Sequence, residues 1–220
     1  MKYILRSPIA SALALAILVW PVLSSTQSSP GSNDGTIAKR GNGDNKTGTT
    51  GTIHGVIMSI VFLLGFPIGS LLMPLVKKWL IHASWQIIVF IGMCAGFGIG
   101  KIAADRSGDW ISDPHVALGT FVCVLMFVQP ILGWIHHRNY VKYQRRTKVS
   151  HGHIWLGRTL MFIGIINGGT GLQLSGASSG PIIAYSVIGA IVFSVYTGGI
   201  VVKEVRLRGR ETNNQSTMEM

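Results

Sequence analysis

The sequence predicts an all-α membrane protein: a four-helix transmembrane bundle with one further, peripheral transmembrane helix. Three observations lead there. Of 220 residues, 48% are hydrophobic and only 12% charged, about half the charged share of a soluble domain. The apolar residues gather in blocks at 53–76, 80–100, 114–135, 154–174 and 181–202. Each block approaches the ~20 residues that cross ~30 Å of hydrocarbon at ~1.5 Å per residue. The basic residues between the blocks, finally, fall on alternate links.

Taken in order, the chain begins with "MKYILRSPIASALALAILVWPVLSS". Basic Lys2 and Arg6, an apolar stretch and small residues near Ser24 predict a signal peptide over 1–24, with an uncleaved anchor as the alternative. The next stretch, 25–50, is rich in Gly, Ser, Thr and Asn. It cannot bury a core and reads as a disordered, non-cytoplasmic leader, with a glycosylation sequon at Asn45-Lys46-Thr47. The membrane domain occupies 51–203, with its core at 53–174, and 204–220 forms a cytoplasmic tail.

Charge sets the orientation. Lys77 and Lys78, then Arg138, Lys142, Arg145, Arg146 and Lys148, then Lys203, Arg206, Arg208 and Arg210 lie on one side of a five-span chain. The opposite links carry only Lys101 and Arg106, beside Asp105, Asp109 and Asp113. Eleven basic residues against two is a positive-inside bias that puts the leader outside and the tail inside. The formal charge of +11 is thereby explained by topology rather than by nucleic acid. The chain is expected in a membrane of the secretory pathway, plasma membrane or vacuole and endomembrane, with its C-terminus cytoplasmic.

Ionisable groups at a membrane edge are costly and point to function. Of the seven histidines, one sits at the start of each of the first four blocks: His54, His82, His115 and either His151 or His153. Because successive spans alternate in direction, His54 and His115 share the outer level, and His82 and the fourth histidine share the inner one. In an up-down bundle the first and third helices are diagonal partners, as are the second and fourth. A flat macrocycle between diagonal helices would take an imidazole from each. Haem b fits: two axial imidazoles fill its open positions, which suits electron transfer. Neither Cys94 nor Cys123 belongs to a Cys-x-x-Cys-His motif, so covalent attachment is disfavoured.

At ~100° per residue, His151 and His153 point ~200° apart, so only one faces the bundle. From His153 the stripe continues through Gly157, Gly164, Gly168 and Gly171; from His151 it runs through Trp155, Arg158, Phe162 and Ile166. The small-residue stripe assigns the role to His153, and leaves His151, His136 and His137 as inner-surface residues. Glycines on the other histidine faces, Gly65, Gly69, Gly96, Gly100, Gly119 and Gly133, suit passage of a macrocycle or close helix packing.

The pieces "IHGVIM", "IHASWQ", "DPHVALGTFVCVLMFVQPILG" and "HIWLGRTLMFIGIINGGTGLQL" together resemble the cytochrome b561 family, in its fungal branch that often follows a DOMON-type redox domain; the leader here is too short and too polar to be expected to fold as one. The resemblance implies two non-covalent b haems held by His54 with His115 and His82 with His153. It also implies one-electron transfer from a cytoplasmic, ascorbate-like donor to an outer ferric chelate or ascorbyl radical. Whether that makes the chain a ferric- or ascorbate-type oxidoreductase or a non-catalytic carrier stays open. So do two alternatives: a haem-bearing relay or anchor serving a separate redox protein, and a histidine-dependent metal-ion transporter. Partners otherwise expected are the donor, the acceptor, the lipid bilayer and a second copy in a homodimer.

Supporting residues have two readings each. Lys77, Lys78, Arg145 and Arg146 would form an anionic donor site or serve topology alone. Arg158 would reach an inner propionate or snorkel to the interface. Arg106, with Trp110, lies near the outer site. Gln129 and Asn167 would orient ligands from behind or bond between helices.

Overall fold

The computed structural model describes residues 44–107 and 113–218. The expected signal peptide, the leader up to 43 and Trp110 lie outside the described residues, as do the side chains of Asn45 and Arg106. The chain within them is helical. Helix α1 covers Asp44–Ser59, followed by a π-helical turn at Ile60–Gly65 and α2 at Phe66–Val76. Helix α3 is Trp79–Ser107, α4 Pro114–Met126, α5 Val128–Tyr143, α6 Lys148–Leu174 and α7 Ser179–Met218.

Four segments are long and apolar enough to cross a membrane: Gly48–Val76, Trp79–Asp105, Pro114–Tyr143 and Ser179–Val202. They correspond to four of the five expected blocks. The fifth, 154–174, forms the greater part of α6, which is long enough but more polar. Its position explains why. Helix α6 packs on α1, the π turn, α4, α5 and α7, burying Leu160, Met161, Ile165 and Asn167, so little of it needs to dissolve in lipid. The outer surface is as apolar as the interior: on α3, Met93 is 0% exposed and Ile88 68%. A surface of that kind requires hydrocarbon around it.

Prolines account for the irregular points. Pro67 has no N–H to give and its ring crowds the carbonyl four residues back. The helix widens just before it, where the Phe66 N–H bonds to Val61 O, and Trp85 Nε1–H donates to Gly65 O at 2.8 Å. Pro130 does the same to the carbonyl of Met126, and the third span breaks at Phe127 between α4 and α5. Pro114 begins α4 after Asp113, whose Oδ1 accepts from His115 N at 2.7 Å, a capping arrangement that fixes the helix start. Thr147 and Ser150 form a reciprocal capping box at the start of α6.

The first span packs on α3 and α6, and α3 also on α4; α4 and α5 pack on α6. First and third spans, and α3 and α6, are therefore the diagonals. Helix α7 lies outside this foursome, against α6, α2 and the π turn, latched by Tyr185 Oη–H donating to Ile165 O at 2.8 Å and by Tyr196 Oη with Ser70 Oγ at 2.9 Å. Replacing Tyr185 by Phe is expected to cost about 1 kcal/mol, seen as a lower Tm in detergent with no change in helix content.

Candidate paired-imidazole sites

Histidine side chains lie inside the bundle at two levels, and at one of them two rings meet across a diagonal. At one level, His54 from α1 and His115 from α4 lie with ring centroids 6.0 Å apart and planes at 79°. His54 Nδ1 bonds to Gly96 O of α3 at 2.8 Å, and His115 Nδ1 to Asn167 O of α6 at 2.9 Å. At the other level, His82 Nδ1 bonds to Gly69 O of α2 at 2.7 Å. A carbonyl oxygen only accepts, so each of these three Nδ1 atoms carries the hydrogen and Nε2 keeps its lone pair. That is the tautomer a metal ligand needs, held from behind.

His153 meets Gln129 of α5. With the amide oxygen accepting from Gly157 N–H at 3.0 Å, the Gln129 nitrogen lies 2.9 Å from His153 Nδ1 and 3.2 Å from His153 O. His153 turns into the bundle, whereas His151 is exposed, as the 200° separation of the two faces requires.

A common register underlies these contacts. On α3, position 82 carries a histidine and position 96 accepts one; on α6 the positions are 153 and 167; on the third span, 115 and 129. The interval is the same in all three. On the first span it is one residue longer, 54 to 69, and that span alone contains the π turn, which takes up an extra residue. Every helix of the foursome thus presents a histidine at one level and receives its neighbour's at the other, ~21 Å away at ~1.5 Å per residue.

Glycines open the seats. A Cβ on Gly100 would lie 2.5 Å from His54 Nδ1, one on Gly171 2.6 Å from His115 Cε1, and one on Gly133 3.2 Å from His153 Cε1. The remaining stripe glycines serve helix contact: Gly65 faces Val89, Gly69 Trp85 and Gln86, Gly96 Met58, Gly119 Asn167, Gly164 Phe62 and Gly168 Tyr185. Between the levels the interior is apolar, filled by Phe62, Met93, Val122, Leu160 and Met161.

Asn167 holds His115 from two directions. Its carbonyl accepts from the ring, and its Nδ2–H donates to His115 O at 3.2 Å, while Thr170 Oγ1–H donates to Asn167 O at 2.8 Å. No family model, curated protein or solved structure matches this chain.

The other expected contacts divide. Lys77, Lys78, Arg145 and Arg146 are exposed on the two links that flank the His82–His153 level, and among the described residues none meets a carboxylate. Arg158 lies over the Trp155 ring at 5.3 Å, on the outward stripe. The residue that sequence reasoning missed is His136. Expected at the surface, it stacks 5.9 Å from His153 with planes at 19°, and its Nδ1 lies 2.7 Å from Ser150 Oγ. Its neighbour His137 faces the other way, stacked on Trp79 at 3.9 Å. A basic, turn-proximal "HHR" run gives no periodic signal of which histidine turns inward.

Proposed function

We propose that the chain is a transmembrane electron carrier of the cytochrome b561 kind, with one b haem at each histidine level. The observation that carries this reading is the His54–His115 pair: two imidazoles from diagonal helices, rings 6.0 Å apart, each Nδ1 tied to a carbonyl. Two imidazoles ~2 Å from a shared transition ion would place their ring centres on the order of 6 Å apart.

The donor set also suits a porphyrin. Among the described residues no group of three or more His, Cys, Asp or Glu converges, so an ion bound by two imidazoles must take its other ligands from elsewhere. A macrocycle brings four. Gly100, Gly133 and Gly171 leave room for the rings of His54, His153 and His115, which a side chain there would crowd.

His54, His115, His82 and His153 would hold the two groups, and the groups would supply one-electron chemistry without bond rearrangement. The protein's own part is orientation and insulation. Carbonyls of Gly96, Gly69 and Asn167 would fix the imidazole planes and raise ligand basicity; Asn167 and Thr170 add a second hold at the outer level, and the backbone of Gln129 bonds to His153 at the inner. The apolar centre offers no polar stepping-stones, which favours electron over ion passage. Lys77, Lys78, Arg145 and Arg146 give the inner face a field that attracts an anionic donor, and electrons would leave from the outer face. In this reading the membrane is one of the secretory pathway, with the cytoplasm on the lysine-rich side.

Purified protein, expressed with ample haem, is expected to show a reduced b-type α-band and two haems per chain. In ascorbate-loaded liposomes it is expected to reduce external ferricyanide without a partner. A well-folded but colourless protein would end this reading; a coloured protein that needs a second protein for turnover would turn it into a relay.

A further inference from the structure

Two side chains of α3 donate to the first span, about one helical turn apart on each partner. His82 Nδ1–H reaches Gly69 O at 2.7 Å, and Trp85 Nε1–H reaches Gly65 O at 2.8 Å. A carbonyl oxygen has two lone pairs and can take such a bond without leaving its own helix. Packing around these two rungs is tight. A Cβ on Gly65 would lie 2.7 Å from Val89 Cγ1, and one on Gly69 2.6 Å from Trp85 Cδ1, so side chains of α3 lie directly against both backbones.

Gly65 is also the last residue of the π turn. That turn separates two halves of the span that are each tied to α3, one by His54 Nδ1–H and Gly96 O, the other by the two rungs. From 54 to 69 the span holds one residue more than the interval its neighbours use. In a plain α-helix that surplus residue would turn one half against the other by ~100°. His54 could not then meet Gly96 O while Gly69 O meets His82. A π turn takes up the surplus as a local bulge, and holding both halves on α3 keeps it there. Among the described residues, the hydrogen bond between α3 and the Gly69 half that does not depend on the imidazole is that of Trp85.

We propose that Trp85 is a positioning residue for His82: by holding Gly65 O at the end of the π turn, the indole keeps the surplus residue in the turn and Gly69 O against the imidazole. Without that bond the turn closes into α-helix, α2 rotates, and His82 Nδ1–H loses its acceptor. Resting on the haem reading above, Trp85 would thereby help to orient one axial imidazole of the inner level.

The surplus residue makes the test specific. Leu64 is exposed, so deleting it removes no core side chain and brings the first span to the interval of its neighbours in a plain α-helix. Full-length protein labelled with 15N-histidine, kept reduced in detergent, reports each Nδ1–H by NMR. Trp85→Phe is expected to lose the slowly exchanging His82 Nδ1–H, while those of His54 and His115 stay as in the parent. Deletion of Leu64 is expected to restore the signal in the Trp85→Phe background, and to leave it in place on its own. A His82 signal unchanged by Trp85→Phe, or not restored by the deletion while His54 and His115 stay intact, overturns the proposal. Should Trp85→Phe not fold, the Leu64 deletion alone decides: retention of the His82 signal supports the proposal and its loss overturns it. None of these signals requires bound haem, so a colourless parent would end the haem reading and leave the positioning role to stand or fall by itself.

Discussion

If the proposed haem reading holds, His115→Ala is expected to halve the haem content of the purified protein, and His151→Ala to leave it at the parental level. The two positions differ in surroundings, not in chemistry. His151 is exposed at the first turn of α6, and its removal strips nothing from the interior. His115 is held at both ends: its N–H is capped by Asp113 at 2.7 Å, its Nδ1–H is accepted by Asn167 O, and its ring faces His54 at 6.0 Å. Truncation removes the ring that faces His54 and leaves the Asn167 carbonyl unmet by it, a penalty of about 1–3 kcal/mol. Pyridine haemochrome against protein concentration gives the ratio directly. Loss of haem on His151→Ala equal to that on His115→Ala would show that the paired rings are not the binding site.

Adding a single methyl group has nearly as large an effect. Gly171→Ala places a Cβ 2.6 Å from His115 Cε1, and Gly100→Ala one 2.5 Å from His54 Nδ1. Such approaches are not met in real structures, and both glycines lie within long helices whose backbones are tied to several neighbours. The ring must therefore turn, breaking the bond to Asn167 O or Gly96 O. Overpacking of this kind costs about 1–3 kcal/mol, and here it falls on the group that matters for binding. Both variants are expected to lose outer-haem absorbance selectively, with the inner signal intact. Gly98→Ala, on the same helix as Gly100 but with nothing within 4 Å of the added Cβ, is the control and is expected to be silent. Equal spectra for Gly98→Ala and Gly100→Ala would show that the seats are incidental.

Much of this was legible in the residues, for identifiable reasons. Block length and hydropathy predicted five spans, and four of them are long and apolar enough in the structure, since lipid imposes one composition on every exposed face. The fourth block was the exception: α6 is shielded by its neighbours and so carries Arg158, Asn167 and Gln173 without needing to be as apolar. Helical periodicity separated His153 from His151, because two residues turn a side chain through most of a half circle. Periodicity could not locate acceptors on other helices. The recurrent interval from 82 to 96, 115 to 129 and 153 to 167 is visible only when the receiving carbonyl is known. The first span hides it further by adding a residue at the π turn. Glycine was read as space for a macrocycle or as close helix packing; the structure shows imidazole seats at 100, 133 and 171 and plain helix contact at 65, 164 and 168. His136 escaped because it sits beside a charged link, where histidines ordinarily face water, and because its anchor, Ser150, belongs to the next helix.

Since every core helix ends in a donor at one leaflet and an acceptor at the other, none can slide along its axis privately. Drawing α3 outward by a fraction of a turn would pull His82 from its backstop and carry Gly96 past His54 in the same stroke. A lipid, pressure or partner that grips one face would therefore be read at the far one, through rigid rods about 21 Å long, and the two histidine levels would be retuned together or not at all.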